Sequence, residues 1–413
     1  MKHLYILPLV FSTLFGFSQE SKSVLFIGNS YTGVNNLPEM VKLATASAGD
    51  ELIFDANMPG GTTLQQHSTN AQTLAKINSK PWDYVVLQEQ SQLPSFPDSQ
   101  VENSVYPYAA ALNNQILANN ACTETLFYMT WGRKNGDAQN CPMWPPVCTY
   151  VGMDDLLAQR YMQMATDNNA EVSPVGAVWR AIITQNPSLE LYSGDDSHPS
   201  LLGSYAAALC FYTTIFRKSA DEVLYTANLP ADQVAIVKAA VNQVVFANFP
   251  QWFIGKYDAS ADFEITGDDT TLTFTAEVQE GATYSWDFGD GTSSQEIIAT
   301  HTFTVGTHTI SLTVTLCGKS ETTTQTVTVS ALSNNDFKNS NFKIYPNPTS
   351  TILNISTKSG LPVQTAVYDM LGRKCNVPSN DGQTFDVSAM ESGSYLIVIS
   401  QDSNVEKRIF IKK

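Results

Sequence analysis

The sequence predicts an α/β domain built on a parallel sheet, followed by all-β modules. Over roughly the first 250 residues, strand-like and helix-like segments alternate, as a parallel sheet with crossover helices requires. The first apolar strand, 24–27, runs without a break into a turn that contains glycine and serine. After about residue 257 the composition changes to threonine, valine and glycine with alternating polarity, which is typical of antiparallel β domains.

The strands of the α/β domain are short apolar runs, and helical patterns separate them or follow them. The predicted strands are 24–27, 51–57, 84–87, 125–131 and 171–175. The predicted helices are 154–169, 178–185, 200–216 and 230–248. The third of these helices follows Pro199 and therefore has His198 at its start.

Two of the five histidines are candidates for a catalytic base. A serine hydrolase needs a base that a carboxylate orients, and Asp195 precedes His198 by three residues. The histidines that lie in an apparent export signal or in the threonine-rich region are His3, His301 and His308. His67 is the competitor, and we expect it to pack beside the site or to cap a helix.

Ser30 is the candidate nucleophile. It lies in the Gly-Asn-Ser turn at 28–30, directly after the first strand. Ligands of open α/β sheets bind at the carboxyl ends of the strands, and a serine there can present both its hydroxyl and its backbone N–H. The alternative is that Ser30 only forms the turn and that His198 is a hydrogen-bonded core residue.

The two ends of this region resemble the SGNH (GDSL-like) hydrolase superfamily. Its opening Gly-Asp-Ser turn is matched by residues 28–30, and its closing Asp-x-x-His motif by Asp195 and His198. The resemblance covers residues 20–256 and implies a flavodoxin-like three-layer domain with Ser30 as nucleophile, His198 as base and Asp195 as the orienting carboxylate. Spacing alone leaves open a swap between Asp195 and its neighbour Asp196.

Three donors for a developing oxyanion are predicted. One is the backbone N–H of Ser30, and a second is Gly60 in the loop after the second strand, with Gly61 as the alternative. The family places an asparagine after the third strand, whereas this chain has Gln-Glu-Gln-Ser-Gln at 88–92. A glutamine carboxamide can donate the same hydrogen bond. Gln90 is the expected donor, and Gln88 and Gln92 remain open.

An insertion after the fourth strand is expected to overhang the mouth of the site. Trp131 and Arg133 are its candidate substrate contacts, for a sugar face or an acyl group, although a tryptophan serves as readily in packing. Cys141 and Cys148 enclose a proline-rich loop and are expected to form a disulfide. The other cysteines are interpreted as buried thiols: Cys122, Cys210, Cys317 and Cys375.

Residues 1–18 resemble an export signal, because a short basic start precedes an apolar stretch too short to span a membrane comfortably. The mature chain is therefore expected to pass through the periplasm to the exterior, without a transmembrane segment. The net charge of -16 argues against nucleic acid as a partner. No paired Cys-x-x-Cys groups occur, so we expect no metal and no cofactor.

Two motif sets define the β modules. The run Tyr-Ser-Trp-Asp-Phe-Gly-Asp-Gly-Thr at 284–292 resembles a PKD domain, an immunoglobulin-like sandwich covering 258–331, in which Trp286 is expected to be core. A polar linker, 333–339, leads to a segment at 340–413 that resembles the C-terminal sorting domain of the type IX secretion system, a small β-sandwich. The resemblance implies that the type IX secretion machinery handles this chain.

These expectations combine into a secreted or cell-surface SGNH-type esterase. Its expected substrate is an ester, with O-acetyl groups on carbohydrate as the first choice and the PKD module as a spacer. Two alternatives remain open at this point. One is a lipase-like or thioesterase-like acyl hydrolase, and the other is a non-catalytic surface adhesin that uses the PKD module.

Overall fold

A computed structural model describes residues 19–268, 270–330, 342–357, 363–379, 381–401 and 404–413. The expected export signal at 1–18 and the linker at 333–339 lie outside these residues. The chain divides into two compact units. The first comprises Met1–Ser260, Gln279–Ala282 and Thr315–Glu321. The second comprises Ala261–Val278, Thr283–Val314 and Thr322–Lys413.

A five-stranded sheet, parallel throughout, forms the centre of the first unit. Its strands are β1 (Ser21–Ile27), β2 (Glu51–Asn57), β3 (Tyr84–Leu87), β4 (Glu124–Tyr128) and β5 (Glu171–Ser173). Their order is β2-β1-β3-β4-β5. This is the flavodoxin-like order, in which the connection after β2 passes over β1 to reach β3, so that the direction of strand addition reverses at β1. The predicted α/β class is confirmed.

Helices cover the sheet. They are α1 (Ser30–Gly33), α2 (Leu37–Ser47), α3 (Leu64–His67), α4 (Ala71–Ile77), α5 (Asp98–Ser104), α6 (Tyr106–Asn119), α7 (Tyr150–Asp167), α8 (Val175–Gln185), α9 (Leu201–Phe216) and α10 (Ala231–Val244). Helices α2, α8, α9 and α10 pack together in one layer, and α3 to α7 pack around α6 in another. With the sheet between them, the unit has three layers.

The strands and α9 supply much of the core. Residues 24–27 of β1 and 84–87 of β3 are almost completely buried, as expected for parallel strands covered on both faces. Helix α9 is buried over nearly its whole length, 202–216. A helix that is apolar on all sides belongs inside a protein. Its burial fixes the chain just before it, where His198 lies.

Two predicted strand ends are wrong. Strand β4 ends at Tyr128 rather than at residue 131, and β5 ends at Ser173 rather than at residue 175. The ladder between them spans only 126–128 and 171–173. Residues 129–131 are nevertheless buried. Their apolar character reflects packing beyond the end of the strand, which a hydrophobic pattern does not distinguish from the strand itself.

From Phe263 onward, every regular element in the described residues is a β-strand. The PKD-like strands are β6 (Phe263–Asp268), β7 (Thr271–Ala276), β8 (Thr283–Asp287), β9 (Ser293–Ser294), β10 (Ile298–Thr302), β11 (Gly306–Leu316) and β12 (Lys319–Val329). Their sheet orders are β10-β7-β6 and β12-β11-β8-β9. Trp286 is fully buried and packs on Phe263 and Phe274, so its predicted core position is confirmed. Gly289 has a φ of +73°, and a Cβ there would lie 2.4 Å from Thr309 O.

The C-terminal region forms two further sheets. Its strands are β13 (Phe342–Tyr345), β14 (Ile352–Thr357), β15 (Gln364–Asp369), β16 (Lys374–Cys375), β17 (Thr384–Asp386), β18 (Gly393–Gln401) and β19 (Asn404–Lys412). Their orders are β13-β14-β17 and β16-β15-β18-β19. A separate apolar core lies in this region. The prediction of two small all-β sandwich domains is therefore confirmed.

The cysteines agree with the sequence prediction in part. Cys141 and Cys148 form the expected disulfide, and Cys210 is a buried free thiol. The interpretation of Cys122 and Cys317 as free thiols is wrong, because they form a second disulfide within the first unit. These two residues are 195 positions apart, so nothing local in the sequence indicates their pairing. Cys375 is free and half-buried.

None of the helices in the part of the chain that the structure describes has the length and apolarity that crossing a bilayer would require.

Candidate active site

The turn that carries Ser30 is fixed on two sides. Asn29 donates its backbone N–H to Gln88 Oε1 (2.9 Å) at the end of β3, and its side-chain amide to Thr62 O (3.0 Å). A Cβ at Gly28 would lie 2.6 Å from Gln88 Oε1, so only glycine fits there. Ser30 begins α1, with Asn29 as the N-cap. The hydroxyl of Ser30 is thereby held at the carboxyl end of β1.

The structure brings Ser30, His198 and Asp195 into one chain of hydrogen bonds. Ser30 Oγ lies 2.8 Å from His198 Nε2, and His198 Nδ1 lies 2.5 Å from Asp195 Oδ2. The side chain of His198 is 33% exposed and that of Asp195 is 51% exposed. The three groups come from two segments 168 residues apart, and they meet at an accessible edge of the unit.

Asp195 has the contacts of an ionised carboxylate. Its Oδ1 accepts hydrogen bonds from Ser193 Oγ, Ser197 N and His198 N. Partial burial raises the pKa of Asp195, but these bonds and the bond from the imidazole outweigh it and hold the pKa well below its usual range. A carboxylate at this position holds the proton on Nδ1 of His198. Nε2 is then free to accept the Ser30 proton.

Asp196, the alternative partner, binds elsewhere. Its Oδ2 accepts from Asn135 Nδ2 (3.0 Å), and its Oδ1 lies 3.8 Å from Lys134 Nζ. The backbone of Asp196 is in the left-handed region, with φ at +57°. This conformation turns its side chain away from the imidazole that Asp195 contacts, so the geometry favours the original assignment over the swap.

His67 packs beside the site, as the sequence analysis expects. It is fully buried, with Nδ1 at 2.8 Å from Thr73 Oγ1 and Nε2 at 2.8 Å from Gly28 O. Burial lowers the pKa of its imidazole, which favours the neutral form. A neutral His67 donates its Nε2–H to the carbonyl of Gly28 and so supports the turn that carries Ser30.

The prediction that Trp131 contacts substrate is wrong. Its side chain is fully buried and stacks between Tyr31 and Trp179, with ring centroids 4.9 and 3.7 Å away. Its indole N–H donates to Ser197 O (3.1 Å), and Tyr31 OH lies 2.6 Å from Ser197 Oγ. Trp131 thus contacts Tyr31, which follows Ser30, and Ser197, which precedes His198. The aromatic stack therefore supports both segments that carry the site.

Replacing Trp131 with alanine is therefore expected to destabilise the first unit rather than to weaken substrate binding. Truncation of a fully buried tryptophan typically costs about 3 to 5 kcal/mol, because it removes buried surface and leaves a cavity. Urea denaturation measures this loss. Met143→Ala is the control, because this side chain in the same insertion is 89% exposed. A Trp131→Ala variant of unchanged stability and raised KM would restore the substrate-contact assignment.

The three glutamines after β3 differ in the hydrogen bonds that their carboxamide groups already form. Gln88 is fully buried, accepts from Asn29 N and Thr32 Oγ1, and donates to Glu89 O. Gln92 donates to Asp137 Oδ2 at 2.7 Å. The Gln90 amide nitrogen has one longer bond, of 3.3 Å to Gln92 Oε1. Gln90 is therefore the glutamine whose N–H groups are most available.

Gly60, the other predicted donor, lies on an exposed loop. No atom lies within 4 Å of the position where its Cβ would be, so a ligand can approach the backbone closely. Gly61 is also exposed and adopts a left-handed φ of +71°. The loop ends at Thr63, which caps α3.

Arg133 is the remaining predicted substrate contact, and its side chain is 27% exposed. Its Nη1 lies 3.4 Å from Asp137 Oδ1, a carboxylate that is itself completely buried. Burial raises the pKa of Asp137, but hydrogen bonds from Asn140 and Gln92 outweigh it and lower that pKa. Asp137, which no sequence motif indicates, thus joins Gln92 to the insertion and pairs with Arg133.

Comparisons with known proteins identify the two C-terminal modules. The family model of the PKD domain matches residues 262–329, and that of the secretion system C-terminal sorting domain matches residues 343–413. The recognition of both modules from the sequence is confirmed. The sorting domain indicates that the type IX secretion machinery handles the chain and delivers it to the cell surface or the extracellular space.

Solved structures similar to parts of the chain include a candidate SGNH hydrolase from Slackia heliotrinireducens. It is 28% identical, covers 47% of this chain and 98% of its own, and has a TM-score of 0.39. A lipase/acylhydrolase from Enterococcus faecalis is 14% identical, covers 51% of this chain and 100% of its own, and has a TM-score of 0.34. The PKD1 domain of Vibrio anguillarum Epp is 36% identical, covers 17% of this chain and 92% of its own, and has a TM-score of 0.16. No curated protein matches the chain.

Proposed function

We propose that the chain is a secreted serine esterase of SGNH type that hydrolyses carboxyl esters, with O-acetyl groups on carbohydrate as its substrates. The observation that carries the proposal is the unbroken chain of hydrogen bonds from Ser30 Oγ through His198 to Asp195. Such a chain activates a hydroxyl that is otherwise a weak nucleophile at neutral pH.

In the proposed reaction, Ser30 Oγ attacks the ester carbonyl while its proton moves to His198 Nε2. The tetrahedral intermediate collapses, the bond to the alcohol oxygen breaks, and Nε2 gives its proton to the departing alcohol. Ser30 is left acylated. Water then attacks the acyl carbon with His198 again accepting a proton, and the carboxylic acid leaves as the proton returns to Ser30. Asp195 stabilises the imidazolium that forms in each half of the reaction.

The oxyanion is proposed to receive hydrogen bonds from the backbone N–H groups of Ser30 and Gly60 and from the carboxamide of Gln90. Each donor of this kind typically contributes about 3 kcal/mol to transition-state stabilisation. The open space beside Gly60 supports the choice of its N–H group. The single, longer hydrogen bond of the Gln90 amide supports Gln90 over Gln88 and Gln92.

The choice of an acetylated carbohydrate rests on polarity and location. Gln90 and Arg133 have partly exposed polar side chains that can bind sugar hydroxyls. Sorting to the exterior brings the site to extracellular glycans rather than to metabolites of the cytoplasm. The intact triad geometry favours catalysis over a role purely in adhesion. Arg133 is proposed as the substrate contact that remains after Trp131 is excluded.

A panel of esters tests the proposed function. Acetylated xylose and glucosamine derivatives are compared with p-nitrophenyl acetate, octanoate and palmitate. We expect kcat/KM for acetyl esters to exceed that for palmitate by about a hundredfold, because the polar groups proposed to bind the sugar gain nothing from extra methylenes. A preference for palmitate would identify a lipase instead. Inertness toward every ester would favour the adhesin.

A further inference from the structure

The carboxyl group of Glu89 is buried beside the site and has no part in the mechanism above. Glu89 follows β3 and is completely buried. Its Oε1 and Oε2 lie 3.1 and 3.2 Å from Leu64 N, and Oε1 lies 2.5 Å from Gln90 N. Among the residues that the structure describes, no lysine or arginine forms an ion pair with it. Two backbone N–H groups are its partners instead.

Those two N–H groups belong to the segments from which the oxyanion donors are proposed to come. Leu64 is the first residue of α3, directly after the loop that contains Gly60. Gln90 is the proposed side-chain donor itself. A single carboxyl group therefore links both segments. The preceding residue, Gln88, binds the backbone of Asn29, so residues 88–90 connect these segments to the nucleophile's turn as well.

We propose that Glu89 is a positioning residue that holds the Gly60 loop and the Gln90 turn at the spacing that an oxyanion requires. This inference rests on the proposed function. If the Gly60 loop and the Gln90 turn moved apart by about 1 Å, their hydrogen bonds to the oxyanion of the transition state would weaken. Their contacts with the bound ester would weaken much less. Glu89 acts through Gly60 and Gln90 and does not touch the substrate.

The protonation state of Glu89 makes this role measurable. Burial raises its pKa to about 8, and the hydrogen bonds from Gln90 and Leu64 only partly oppose that rise. At pH 7 the group is therefore a neutral acid whose carbonyl oxygen accepts both N–H groups. The titratable group that faces it from α7 is the phenol of Tyr161, whose oxygen accepts the Glu89 N–H at 3.2 Å. Burial raises the pKa of Tyr161 further above its usual value, so this phenol stays neutral.

Above pH 8 the ionised carboxylate of Glu89 adds a negative charge next to the Gly60 loop and the Gln90 turn. These two segments must stabilise the negative charge of the oxyanion. We therefore expect wild-type kcat to fall as the pH rises through about 8. Glu89→Gln retains an oxygen that accepts both N–H groups but does not ionise. It should keep kcat within about threefold of wild type at pH 7 and should show no fall near pH 8.

Glu89→Ala removes the link altogether. It is expected to lower kcat about a hundredfold, the effect of one lost oxyanion donor, while KM changes less than threefold. Glu102→Ala is the matched control because Glu102 is exposed on α5, and it should have wild-type kinetics. Thermal unfolding establishes that each variant is folded. If Glu89→Ala does not fold, the pH profile of Glu89→Gln decides.

Two results would overturn the inference: a folded Glu89→Ala with kcat within threefold of wild type, or a Glu89→Gln profile that superimposes on that of wild type. Both are measured on p-nitrophenyl acetate alongside Ser30→Ala. If wild type shows no Ser30-dependent hydrolysis, the proposed function itself fails. If hydrolysis depends on Ser30 but not on Glu89, only the positioning role fails.

Discussion

Replacing Ser30 with alanine is expected to lower kcat for acetyl esters by about a million-fold, because loss of a triad nucleophile removes covalent catalysis entirely. The change deletes one half-buried hydroxyl, so the free energy of unfolding should remain within about 1 kcal/mol of wild type. Ester hydrolysis by purified protein measures kcat, and urea denaturation measures the free energy of unfolding.

Ser68→Ala is the matched control for this experiment. Ser68 lies at the end of α3, and its hydroxyl donates to the carbonyl of Gln65 within the same turn. The same chemical deletion there should leave kcat unchanged. Retention of more than about a hundredth of wild-type activity in Ser30→Ala would mean that another group attacks the ester.

Asp195→Asn is expected to lower kcat about ten-thousandfold without unfolding the protein. An asparagine amide facing Nδ1 donates rather than accepts, so it favours the imidazole tautomer with its proton on Nε2. That tautomer cannot accept the proton of Ser30. Since hydrogen bonds depress the pKa of Asp195, the wild-type carboxylate stays ionised throughout the assay range, and the loss should persist from pH 5 to pH 9.

Asp196→Asn is the control for this second change, because it makes the same substitution one residue away. Asp196 binds Asn135 and Lys134, not the imidazole. Its kcat should stay within about threefold of wild type. If Asp196→Asn is the inactive variant and Asp195→Asn is active, the carboxylate assignment is reversed.

The parts of the fold and site that the sequence predicts are those with a local cause. Strands β2 and β3 begin and end as predicted. Strand β3 is a continuous apolar run because it is buried on both faces, whereas β2 lies at the edge of the sheet and alternates with polar, partly exposed residues. The place of Ser30 directly after a buried apolar strand, and the spacing of His198 to Asp195, predict that these residues meet, as their hydrogen bonds show. Cys141 and Cys148 were close enough in the chain to suggest their disulfide.

The features that the sequence did not predict depend on tertiary position. Trp131 was equally compatible with a binding surface and with a core, and only its place between Tyr31 and Trp179 decides for the core. The pairing of Cys122 with Cys317 depends on the fold, not on spacing. Glu89 lies in a polar run typical of exposed loops, so its burial became evident only from the structure.

Covalent labelling of the folded protein with a fluorophosphonate tests the central claim most directly. The reagent reacts only with a serine whose hydroxyl is activated by a neighbouring base. We predict one adduct per chain, located by peptide mass spectrometry at Ser30, with loss of ester hydrolysis in proportion to labelling and no adduct in Ser30→Ala or His198→Ala. Full inactivation with the adduct on a different residue, or full hydrolysis by protein labelled at Ser30, would contradict the account.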